Sequence, residues 1–132
     1  MLQSALAAAP LFTGLDQEWQ LALFNTMQSV NVKGGEFVIR QGEPGDSFFV
    51  VRSGSLQVRV VPEGAEGSDA DGGRVVHQYQ AGGRFGELAL LYDKPRAASV
   101  VAVADSTLWR LERWAFDEIT KKSTEVQARM LL

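Results

Sequence analysis

The 132 residues are 45% hydrophobic and 22% charged, with 13 Lys and Arg against 16 Asp and Glu for a net charge of −3. This is the length of one domain with its own core, and the acidic balance argues against a domain that holds nucleic acid by its overall field. With no Cys and a single His, His77, disulfides, thiolate catalysis and Cys- or His-cluster metal centres are excluded, and no apolar run approaches the roughly 18–20 residues that cross a bilayer.

Residues 1–29 read as an N-terminal helical segment. Met1 to Pro10 is Ala-rich but lacks a basic start, so it makes a poor secretory signal and a cytoplasmic protein is expected. Asp16 suits an N-cap. Trp19, Leu23 and Met27 then recur at i, i+4, i+8, with Phe24 beside them, as one apolar stripe. Residues 30–112 read differently. Glycines recur roughly every eight to twelve residues, which is the spacing of many short strands in a sandwich or barrel. Val30 and Val32 alternate, Gly34-Gly35 turns, and Phe37 to Arg40 follows. Phe48-Phe49-Val50-Val51 is a continuous apolar run, expected to be a strand buried on both faces. Ser55 to Val61 alternates, with Leu56, Val58 and Val60 on one face.

Pro62 to Arg74 carries four glycines and four acids, and reads as a solvated hairpin loop. Its acids lack the spacing of a Ca²⁺ loop. Val75 to Tyr79, Ala97 to Ala102 and Thr107 to Leu111 complete the strands. Residues 113–132 return to helix, with Trp114, Phe116 and Ile119 in a second helix and a Thr124-x-x-Gln127 capping box opening a third. The expectation is one mainly β (α+β) domain over 1–132, an antiparallel eight-stranded jelly-roll barrel with an N-terminal helix, a short helix within the barrel sequence and C-terminal lid helices.

The chemistry lies between Gly82 and Val100. Glu87-Leu88-Ala89-Leu90-Leu91 is a strong helix former of one or two turns inside a β-rich region. Gly82, Gly83 and Gly86 precede it, and glycine lets backbone approach a ligand closely. Pro95 ends the helical piece, and Arg96 follows with the small residues Ala97, Ala98 and Ser99 behind it. An anchored Arg beside open backbone N–H groups suits a phosphate. A carboxylate at Glu87 can accept from sugar hydroxyls, so cation and carboxylate together are the pairing a nucleotide needs.

Phe85-Gly86-Glu87-Leu88-Ala89-Leu90-Leu91-Tyr92, followed by Pro95-Arg96-Ala97-Ala98-Ser99-Val100, resembles the phosphate-binding cassette of cyclic nucleotide-binding domains, here residues 85–99. The likeness is to the regulatory subunits of cAMP-dependent protein kinase and to cGMP-dependent kinases. Gly34-Gly35-Glu36, Gln41-Gly42-Glu43, Gly45-Asp46, Phe48 to Gly54 and Leu108-Trp109 extend it over nearly the whole chain. The resemblance implies that Glu87 binds the ribose 2′-hydroxyl and that Arg96 pairs with the exocyclic phosphate oxygens. The backbone N–H groups of Gly86 and of Ala97-Ala98 complete the cradle, and Phe85, Leu88, Ala89 and Ser99 belong to the same site. Leu88 and Leu90 are expected to couple the cassette to the C-terminal helices, which close as a lid. A Thr or Ser directly after the cassette Arg favours cGMP in that family. Ala97 stands there, so cAMP is the expected ligand and cGMP the alternative. An acid from the third strand holds the cassette Arg in kinase regulatory subunits. Arg52, in Arg52-Ser53-Gly54, stands at the position expected for it and cannot pair with Arg96, so either another acid supports Arg96 or that relay is absent.

The resemblance makes this a regulatory binding domain, not an enzyme, with no cofactor beyond its cyclic nucleotide. Its partners are the nucleotide and an effector or kinase domain in cis or in trans, with no nucleic acid and no membrane insertion. One His and no alternating inward acids fail a cupin-type metalloenzyme. Glu87 and Arg96 as a bare structural ion pair, in a ligand-free or nucleoside-binding interaction domain, are the remaining reading.

Overall fold

The computed structural model describes residues 17–62, 73–90 and 95–120. The Asp16 cap, the interior of the 62–74 loop, Leu91, Tyr92 and the Thr124 capping box lie outside the described residues, as do the side chains of Trp19, Leu88 and Ile119. Helix α1 (Gln17–Thr26) opens the described chain and eight strands follow. These are β1 (Gln28–Val32), β2 (Phe37–Ile39), β3 (Ser47–Ser53), β4 (Leu56–Val60), β5 (Arg74–Tyr79), β6 (Arg84–Phe85), β7 (Ser99–Ala102) and β8 (Ser106–Glu112). A 3-10 helix (Glu87–Leu90) separates β6 from β7, and helix α2 (Arg113–Thr120) follows β8 without a break.

The strands form two antiparallel four-stranded sheets, ordered β1-β8-β3-β6 and β2-β7-β4-β5. Strands β1 and β8, β2 and β7, β3 and β6, and β4 and β5 are partners. That is one long hairpin, closed between β4 and β5 and folded over on itself, the jelly-roll arrangement. The 62–74 stretch is therefore the hairpin's connection, as the sequence suggested. The wrapping also fixes where the cassette must lie. Because β6 belongs to one sheet and β7 to the other, the chain from Gly86 to Ala98 crosses between them.

Two apolar layers hold the fold. Between the sheets lie Val32, Ile39, Phe49, Val51, Leu56, Phe85, Val100, Ala102 and Leu108. Phe49 stacks on Phe85, and Phe85 on Tyr79, with ring centroids 5.1 and 5.2 Å apart. Successive strand residues face opposite ways, so Phe48, Val50 and Leu111 point outward from this core, yet all three are fully buried. What covers them is helical: α2 packs on α1, on β8 and on the 3-10 helix, and Leu23, Leu90 and Phe116 are buried with them. Each such side chain contributes about 1.5–3 kcal/mol by leaving water. The apolar run at 48–51 is thus read correctly: β3 has sheet core on one face and helices on the other.

Strand β5 is the exception, an edge strand whose Val75 and Val76 are exposed. The predicted Ala97 to Ala102 strand begins only at Ser99, because Ala97 and Ala98 form a bend. Gln41 joins the two halves of the hairpin. Its amide donates to Val61 O (3.0 Å) and accepts from Val61 N (2.8 Å), while its backbone N–H donates to Ser99 Oγ (2.9 Å). Gln41→Ala removes the two exposed amide bonds and is expected to lower unfolding free energy by about 1 kcal/mol, read from the midpoint of urea denaturation.

Candidate ligand site

The site is built around the backbone of Arg96. Gly42 N donates to Arg96 O and Arg96 N to Glu43 O, both at 2.8 Å, and Pro44 bridges to Pro95. Proline has no N–H to continue a ladder, so the pairing stops there. The cassette is thereby clamped to the turn that precedes β3.

The side chain then threads between two glycines. A Cβ on Gly45 would stand 1.9 Å from Arg96 Nε, and one on Gly86 would stand 2.8 Å from Nη1 and 2.7 Å from Ser47 O. Gly86 also has φ +82°, a conformation that costs other L-residues dearly. Only residues without a side chain leave room for the guanidinium here. Its Nη2 donates to Ser47 O at 2.7 Å, which fixes the plane of the fork. Burial pushes the Arg96 pKa down from its ordinary value. Asp46 opposes that shift and Arg113 adds to it, but an arginine keeps its proton across the physiological range.

Asp46, at the head of β3, is the acid whose charge favours the Arg96 cation. Position 52 offers no acid, and of the two alternatives this leaves, another acid near Arg96 is the one the structure favours. Arg52 faces away, with its guanidinium 5.5 Å from the centre of the Trp109 ring. The Asp46 carboxylate accepts from Ser47 Oγ at 3.0 Å.

Arg113, the first residue of α2, ties the lid side to the same turn. Its backbone N–H donates to Asp46 O (2.8 Å) and its Nε to Ala89 O (2.7 Å), with Nη2 donating to Ala89 O as well. One side chain therefore links the helix after the barrel, the turn that holds Arg96 and the 3-10 helix of the cassette. Sequence reasoning gave this residue no role, because an Arg opening a helix looks like surface charge.

The predicted site residues are distributed unevenly. Gly86 abuts the Arg96 guanidinium, and Glu87 follows it, half-buried at the start of the 3-10 helix. Among the described residues nothing hydrogen-bonds the Glu87 carboxylate, so the bare Glu87–Arg96 ion pair is not formed. Ala89 and Leu90 are buried, Ala97 is exposed and Ala98 half-buried. Phe85 belongs to the core, and the Ser99 hydroxyl is engaged by Gln41 N. A cleft opens beside Arg96, lined among others by Ile39, Arg40, Glu43, Asp46 and Arg110. Glu87 does not line it. No group of His, Asp and Glu able to hold a metal ion occurs among the described residues.

Residues 29–123 match the family described as cyclic nucleotide-binding domain. The chain belongs to the cyclic nucleotide-binding domain family. This domain is 43% identical over 129 residues to a cAMP-dependent protein kinase regulatory subunit of Blastocladiella emersonii, covering 98% of the chain and 30% of that protein. A regulatory subunit of the same kind from Mucor circinelloides f. lusitanicus is 40% identical over 91% of the chain and 26% of its own length. Among solved structures, the co-crystal of the regulatory domain of Toxoplasma gondii PKA with cAMP superposes with a TM-score of 0.75 at 34% identity, over 98% of this chain and 47% of that one. The domain thus spans about a third or less of the curated relatives it matches. They are regulatory subunits rather than enzymes. Among the described residues of this domain no helix is long and apolar enough to cross a membrane.

Proposed function

We propose that this domain binds cAMP, with Arg96 on the cyclic phosphate and Glu87 on the ribose, and passes occupancy to its C-terminal helices within a regulatory subunit that controls a protein kinase. The observation that carries the reading is the Arg96 cradle. A guanidinium is held between Gly45 and Gly86, bonded to Ser47 O and left facing a cleft, and among the described residues no acid closes a salt bridge with it. Such a fork suits a phosphate. The free Glu87 carboxylate one residue from Gly86 supplies the acceptor for a sugar hydroxyl. The cAMP in the related Toxoplasma regulatory domain supports the choice of ligand.

Phe85, Leu88, Ala89, Ala97, Ala98 and Ser99 complete the proposed cassette with Gly86. Arg113 carries its state to α2, since a cassette that shifts moves Ala89 O and with it the head of the helix. A two-state lid of this kind moves only by the ligand's differential affinity for its two arrangements. The decisive experiment is a calorimetric titration of the chain with cAMP, then cGMP, then adenosine. Micromolar or tighter cAMP binding with weak adenosine supports the proposal, and silence from both cyclic nucleotides ends it. Ala97 is exposed beside Arg96 and has no hydroxyl to offer a guanine amino group. Ala97→Thr is expected to raise cGMP affinity about fivefold, roughly one added hydrogen bond, with cAMP little changed. A cGMP affinity that stays put removes position 97 from base selection.

A further inference from the structure

Arg40, Arg96 and Arg110 all line the cleft, and they are not equivalent. Arg96 is committed to the cradle. Arg40 lies over the Phe37 ring, 4.0 Å from its centre. Arg110 comes from β8, where Leu108, Arg110 and Glu112 share a face. Leu108 is part of the inter-sheet core, so Arg110 projects into the same interior. Across the ladder Arg110 pairs with Phe49, which pairs in turn with Phe85. A guanidinium thus extends a row of stacked aromatics, where packing alone gives no reason for a charge.

Its bonding is incomplete. Nη2 meets one oxygen of Glu112, and the other Glu112 oxygen accepts from Trp114 Nε1. Among the described residues no acceptor meets the buried Arg110 Nε. Trp114 stands on α2 and is 65% exposed, so the indole is held by this carboxylate and little else. A buried N–H without a partner is an unmade bond that an incoming acceptor can complete.

We propose that Arg110 is a second ligand-contacting cation of this cleft, drawn from Glu112 onto a phosphate seated at Arg96, and that the released carboxylate loosens Trp114 at the head of α2. The inference rests on the cyclic-nucleotide reading above and adds to it a contact residue and a route out. The exchange is one charge-assisted bond for another.

The test uses the intact chain with cAMP as probe. Arg110→Gln is expected to weaken cAMP binding about tenfold and to reduce the salt dependence of the affinity. Glu112→Gln removes the competing carboxylate and is expected to tighten binding about threefold, the reverse of what a purely structural pair predicts. The indole signal on cAMP addition should be present in the parent chain and absent from Trp114→Phe and Arg110→Gln. Binding that responds to Arg96→Lys but not to Arg110→Gln overturns this inference and leaves the proposed function standing. Equal weakening by Arg110→Gln and Glu112→Gln also overturns it. A parent chain that ignores cAMP ends both.

Discussion

Arg96→Lys is expected to weaken cAMP binding by about 1.5–3 kcal/mol, roughly ten- to a hundredfold, in calorimetric titrations at constant salt. The magnitude follows from what the fork does. The Arg96 guanidinium spends Nη2 on Ser47 O at 2.7 Å and keeps its remaining edge for the ligand. A lysine ammonium is a compact point charge. If it bonds Ser47 O it loses the planar, two-point grip on a phosphate, and if it reaches for the phosphate it abandons the backbone carbonyl. The backbone clamps through Gly42 and Glu43 do not depend on the side chain, so the fold should survive. A melting temperature within a few degrees of the parent, together with the loss of affinity, is the expected pair of results. An unchanged affinity takes Arg96 out of the site.

Most of the barrel was legible because its signals are local. Alternation at 56–60, the unbroken apolar run at 48–51 and glycines such as Gly35, Gly54 and Gly82 each report one strand or turn among the described residues. The cassette was legible as a motif, since Gly86, Glu87 and Arg96 sit within one short stretch. Its support was not, because support comes from residues far away in the chain. Asp46, Ser47 and Arg113 reach the cassette only through the folded-over hairpin, and no periodicity announces that. The third-strand acid shows the limit well. The sequence rules out Arg52 at one end of β3 and leaves open which acid, if any, stands near Arg96, and only the pairing of the 42–47 turn with Arg96 brings Asp46 there. Arg110 is a second case. In the strand expected at Thr107 to Leu111 a charge gives no sign of its direction until the register pairs Arg110 with the buried Phe49. The two-residue strand β6 escaped notice because nothing so short carries a pattern.

Gly45→Ala is expected to cost cAMP affinity as much as Arg96→Lys, about tenfold or more, although it adds one methyl group to a residue that need never touch the ligand. The added Cβ would stand 1.9 Å from Arg96 Nε, 2.4 Å from Cζ and 2.7 Å from Cδ, all of them side-chain atoms. The guanidinium must therefore leave its channel, and its bond to Ser47 O goes with it. Because the displaced group can swing toward solvent, overpacking should cost only about 1–3 kcal/mol of stability. Gly35→Ala provides the contrast. Gly35 has φ +93° with nothing within 4 Å of a new Cβ, so that variant carries backbone strain of about 1–2 kcal/mol and no steric consequence for Arg96. The two variants should thus lose similar stability in urea denaturation and part company in the titration, with only Gly45→Ala losing cAMP. If both bind alike, the guanidinium is not held between Gly45 and Gly86 when ligand is present. Equal loss in both would instead mean that affinity follows global stability, which the intact barrel of Arg96→Lys is placed to check.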